Sequence, residues 1–171
     1  MIKIIDITTE LSAIRNEDGF FAKFKNNNSA SMNVNGSATN VVFSLTDLPD
    51  NQNILLQSIG FVVGAGEILD LEKFGGLTAL TNGILFTSGQ NEVVITTNAD
   101  VMLISSQTNI ITAGTGSNTY SVIVGRWDFT DTLGGNAPII TNSNDLKITI
   151  RDNLSDVPFF QVACHGILIQ E

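Results

Sequence analysis

Residues 54–64, ILLQSIGFVVG, form the longest run of apolar and small residues in the chain. The run is rich in Ile and Val and bounded by polar turns, so it reads as a strand, whose successive side chains point to opposite faces. That alternation puts Gln57, Ile59, Phe61 and Val63 on one face and Leu56, Ser58, Gly60 and Val62 on the other. Neither face is made for water, which predicts a strand in the middle of a sheet. The small Ser58 and Gly60 predict a close approach by an opposing sheet or a neighbouring backbone.

The segments around this run carry the period of strands. Residues 2–7 read as a first strand, with Thr8 or Thr9 capping a short helical turn through Leu11 and Ile14. Residues 20–25 alternate Phe20, Ala22 and Phe24 with Phe21, Lys23 and Lys25, and Asn26, Asn27 and Asn28 end them in a turn. Met32 and Val34 lead through Asn35-Gly36 to Val41, Phe43 and Leu45, which predicts a hairpin. After the central run, Ile68, Leu71 and Phe74 stand at helical spacing and stop at Gly75-Gly76, which predicts a short helix with a glycine cap. Residues 84–88, 93–97 and 101–105 then read as a meander of three strands. Residues 109–118, rich in Thr, Gly and Ser, read as a surface loop around Ile110-Ile111. Residues 120–129, 146–150 and 159–169 complete the set, with a loop over residues 131–138. On the order of ten strands and at most one or two short helices predict an all-β, antiparallel β-sandwich, a jelly roll, in one domain spanning the chain.

Composition narrows the function. Of 171 residues, 43% are hydrophobic and 15% charged, a surplus that either a well-filled sandwich or a subunit with buried interfaces would use. The net charge of −9 argues against a nucleic-acid partner held by phosphate neutralisation, which needs clustered Lys and Arg. Cys164 is the only cysteine, which fits a reducing compartment and allows no intrachain disulfide. The N-terminal MIKIIDITTEL carries acids and no cleavage-site pattern, so no signal peptide is expected. No apolar run approaches the roughly 18 residues of a membrane span.

His165 is the only histidine, so a zinc site built on several histidines is excluded and any Ser-His-Asp or Cys-His chemistry must use this one. Cys164 is its neighbour, but adjacent residues of a strand face opposite ways and cannot share a proton. Asp70 with Glu72, Asp128 with Asp131, and Asp152 with Asp156 are acid pairs without a surrounding signature. Asp152, Asn153 and Asp156 fall short of the dense ligand run of a calcium loop, and Gly64-Ala65-Gly66 lacks the rest of a phosphate-loop pattern. No cofactor or metal is expected. Among the aromatic residues, Trp127, flanked by Arg126 and Asp128, is the best candidate to face a ligand. With Tyr120 and Asp128 it supports an alternative reading as a carbohydrate- or receptor-binding module.

The Asn-, Thr- and Gly-rich all-β composition, residues 77–84 (LTALTNGI) and the closing unit over residues 146–160 (LKITIRDNLSDVPFF) resemble the single jelly-roll structural proteins of phage and virus particles. The nearest in style are the capsid-auxiliary, decoration or connector subunits of tailed phages. No single motif carries this resemblance, so no functional residue is carried over. It implies a non-enzymatic virion subunit, made in the host cytoplasm, that acts by multi-copy assembly. Its partners would be itself, as a homo-oligomer, and other virion proteins, with no direct contact to nucleic acid or membrane.

Overall fold

The computed structural model describes residues 12–16, 19–27, 29–45, 48, 51–105, 107–115, 118–129 and 137–170. Period-two alternation builds most of it. In chain order the elements are β1 (Ser12–Asn16), β2 (Gly19–Phe24), β3 (Val41–Leu45), β4 (Gln52–Ala65), β5 (Ile84–Ser88), β6 (Asn91–Ile95), α1 (Asn98–Ile104), β7 (Gln107–Thr115), β8 (Asn118–Asp128), β9 (Ile139–Ile140), β10 (Leu146–Ile150) and β11 (Phe159–Gln170). β10 buries Leu146, Ile148 and Ile150 and exposes Lys147, while β5 buries Ile84, Phe86 and Ser88.

Two antiparallel sheets result, one ordered β1-β2-β11-β4-β8-β7 with β9 beside β4, the other β3-β10-β5-β6. With β1, β7 and β9 set aside, β2-β11-β4-β8 faces β3-β10-β5-β6, which is the wrapping order of a jelly roll. The expected all-β sandwich is therefore the observed fold. Aromatic edges help hold the core: Phe61 of β4 meets Phe86 of β5 across the two sheets with ring centres 5.5 Å apart, and Phe74, in the connection after β4, meets Phe160 of β11 at the same distance.

β4 is central, as its apolar run predicts, lying between β11 and β8. Its faces, however, do not follow strict alternation. The register with β11 steps from His165↔Ser58 to Gly166↔Leu56, leaving Gln57 as an extra residue in a β-bulge. The bulge falls where the other neighbour of β4 changes, from β8 at Ser58 to β9 at Leu55. It moves the buried set from Ile54 and Leu56 to Ile59, Phe61 and Val63, so Leu56 belongs to the core face and not to the face of Gly60. Gly60 is also not a point of close approach, because a Cβ there would meet only the Ala163 carbonyl oxygen at 3.8 Å. The tight contact is Gly166, where a Cβ would lie 2.6 Å from the Leu55 oxygen across the bulge.

Other expectations are corrected by tertiary hydrogen bonds. Residues 67–74 are not helical: Phe74 and Leu77 bridge around Gly75 (φ +56°) and Gly76 (φ +90°), the signs of a type I′ turn. Ile68 and Leu71 of the expected apolar stripe are exposed. Residues 101–105 are not a strand, since Val101 to Ile104 belong to α1. Thr97 caps that helix, and the Asp100 carboxylate accepts from the Thr96 and Thr97 N–H groups, each at 2.8 Å. The expected meander is thus only the β5–β6 hairpin.

The hairpin expected around Asn35-Gly36 does not form. Met32 N–H donates to the Phe160 carbonyl at 2.7 Å and Gly36 N–H to the Asp152 carbonyl at 2.9 Å, so this segment pairs with the return into β11. Of the loop expected over residues 109–118, residues 109–115 and Asn118 are instead strand, because β7 and β8 pair from Gln107↔Arg126 to Thr115↔Asn118. Ile14, expected in a helical turn, lies in β1. The strand expected at residues 2–7 and the caps Thr8 and Thr9 lie outside the described residues.

Candidate functional site

Trp127, Tyr120 and Asp128 all lie on β8, and the pleat separates them. Ser121, Ile123 and Gly125 are buried on the inner face, where Gly125 lies against Val101 of α1, and Trp127 shares their face. Tyr120 and Asp128 stand on the outer face, where Tyr120 is half-exposed. Seven residues of strand put Tyr120 about 24 Å from Trp127. The three side chains therefore do not form one stacking platform.

Trp127 lines a cavity between the sheets. Leu56, Ile59 and Trp127 form one wall and Phe86, Ser88 and Val93 the other, around about 210 Å³. The Trp127 and Phe129 rings pack with centres 4.7 Å apart at 44°. Asn91, the exposed first residue of β6 and the register partner of Ser88, borders the cavity on the same face. Within this apolar lining the Ser88 hydroxyl is buried and has no hydrogen-bond partner among the described residues. An orphaned buried hydroxyl forfeits its hydration without compensation, so it marks a place where a partner would be stabilised.

A second arrangement, unforeseen from the sequence, lies on the outer face of the first sheet. Ser58 of β4 is the register partner of His165 on β11 and of Asp128 on β8, so His165, Ser58 and Asp128 form a row across three strands. Ser58 and His165 border a groove of about 190 Å³ that also includes Gly60, Arg126 and Gln161. The row has the residue types of a serine hydrolase in the wrong order. Ser58 stands in the middle, and two strand spacings of roughly 4.8 Å keep the Asp128 backbone far from His165, so the carboxylate cannot orient the imidazole. The Ser58 hydroxyl is wholly buried and makes no hydrogen bond among the described residues, and Asp128 instead pairs with Arg126 at 3.5 Å.

His165 packs its ring on the edge of Phe21 at 4.8 Å. Partial burial, and then the Arg126 charge, lower its pKa and hold it neutral at pH 7. Cys164 points the other way, into the core, where burial pushes its thiol well above the ordinary range. The two therefore occupy opposite faces, as strand geometry requires.

The acid pairs stay separate from both cavities. The Asp70 carboxylate accepts from the Glu72 N–H at 3.0 Å, and Asp152 accepts from the Asn82 and Gly83 N–H groups at 2.9 and 2.6 Å. Asp131 lies outside the described residues. Among the described residues no three His, Cys, Asp or Glu side chains gather as metal ligands.

The edge of the first sheet is the remaining feature. β7 is nine residues long and ends the strand order among the described residues. Its sequence, QTNIITAGT, contains no charge and no proline. Ile110 is 47% and Ile111 54% exposed, and neighbouring residues of a strand present their side chains on opposite faces.

The chain matches no protein-family model, no curated protein and no solved structure.

Proposed function

We propose that the chain is a non-enzymatic structural subunit that works by assembling with copies of itself, as its resemblance to single jelly-roll virion proteins implies. The observation that carries this reading is β7. An unpaired strand edge is a template for another strand, and proteins that stay monomeric blunt it with lysine, proline, bulges or short length. β7 has none of the first two and is nine residues long. The other terminal strands are five residues each, and two carry a charge: Arg15 in β1 and Glu92 in β6.

Charge favours the same edge. Two copies that each carry −9 repel, and a neutral strand with Ile110 and Ile111 is where they can approach at least cost. A second copy pairing β7 to β7 about a two-fold axis would extend the sheet and cover both isoleucines. In a virion other surfaces of such a pair would join it to further copies and to other virion proteins.

Native mass measurement across a concentration series tests the proposal. Species heavier than the 18.3 kDa chain are expected, and Ile111→Lys should return them to monomer without changing the melting temperature. A wild-type chain that stays monomeric at high micromolar concentration, or assemblies indifferent to Ile111→Lys, would refute it.

A further inference from the structure

We propose that the cavity between the sheets is a binding site for a small uncharged molecule, about one ring in size, that carries a single hydroxyl or carbonyl group. This site is independent of the β7 edge. Its size sets the first limit. At the interior packing density of about 0.74, a 210 Å³ cavity takes roughly 150 Å³ of molecule, on the order of eight to ten non-hydrogen atoms. Apolar cavities on the order of 150 Å³ take up benzene.

The lining sets the second limit. Leu56, Ile59 and Phe86 offer only apolar surface and Trp127 a broad ring with a single N–H, so most of the molecule must be hydrocarbon. Ser88 sets the third. It is 9% exposed, it alternates with Phe86 on the inward face of β5, and its hydroxyl has no partner. One polar group on the ligand would satisfy it, whether as donor or acceptor. Charge excludes the commonest amphiphiles: the described lining holds no Lys or Arg to pair with a carboxylate or phosphate, and a net charge of −9 repels both.

The test uses the full chain and two probes with equal numbers of non-hydrogen atoms, phenol and toluene, which differ by a hydroxyl in place of a methyl group. Trp127 is the only tryptophan, so the ¹H–¹⁵N spectrum of labelled protein has one indole cross-peak, and it reports from the cavity wall. Both probes should shift that peak saturably. Ser88→Ala should weaken phenol about fivefold, the effect of one hydrogen bond, and leave toluene unchanged. Val93→Phe should fill the space and block both.

Ser88→Ala removes an orphaned hydroxyl, so its melting temperature should equal or exceed that of wild type, which keeps a binding loss distinct from unfolding. No saturable shift with either probe would overturn the site. Equal phenol affinity in Ser88→Ala would overturn the role of the hydroxyl. Undiminished binding in Val93→Phe would place the probes elsewhere and overturn the proposal as well.

Discussion

The bulge in β4 makes a prediction that couples two residues on different strands. In Gly166→Ala the new Cβ would sit 2.6 Å from the Leu55 oxygen and 2.9 Å from Ile54 Cγ2. The oxygen belongs to the backbone and cannot rotate aside, so the overpacking should cost about 2 kcal/mol, or roughly 4–8 °C in Tm for a chain of this size. Deleting Gln57 removes the extra residue that brings Leu55 so close. It also leaves Ile54, Leu56, Ile59, Phe61 and Val63 in even alternation, so the buried set survives and the deletion alone should cost no more than about 1 kcal/mol. In the deletion background Gly166→Ala should then be nearly free, a coupling of about 1.5 kcal/mol. Urea unfolding of the four proteins in the cycle measures it. Effects that add to within about 0.5 kcal/mol would show that the bulge is not what crowds Gly166. As a control, deleting Val62 shifts Val63 and Ala65 to the wrong face and should unfold the chain, or nearly so.

Gly60 and Asp100 give two more tests. Gly60→Val should leave stability unchanged or raise it by about 0.5 kcal/mol, since the added Cβ has room and a strand glycine is entropically costly; a clear fall in the urea midpoint would contradict the outward placement of Gly60. Burial raises the Asp100 pKa, but its hydrogen bonds with Thr96 and Thr97 outweigh this and leave it lowered in the folded state. The stabilisation is thus complete above the unfolded value near 3.8 and is lost as pH falls through the lower folded value. Asp100→Asn should cost about 1 kcal/mol at pH 7. The gap from wild type should shrink as pH falls from about 5 to below 3, and a gap independent of pH would disprove the role of the charge.

What the sequence alone determined follows from local chemistry. β2 and β10 each carry a period of two that sets the apolar face apart, so their buried sets could be read directly. Asn27, Gly83 and Gly89 occupy the left-handed region, as their turn positions require. The central place of β4 followed from a run that is apolar on both faces. That same property hid the bulge, because a segment apolar in either phase does not reveal a change of phase. Residues 101–105 are equally ambiguous, being too short to show a helical period. The signal for α1 was the Thr97 to Asp100 capping box ahead of them. In β7 a Thr- and Gly-rich composition resembles a loop, and only pairing with β8 makes it a strand. The candidate site was the least legible. Trp127 stood out as an aromatic, yet Ser88 had no signal at all. Its significance comes from a missing partner in a wall that β4, β5, β6 and β8 build together, and the long-range packing that leaves a hydroxyl unpaired is not written in the neighbours of Ser88 along the chain.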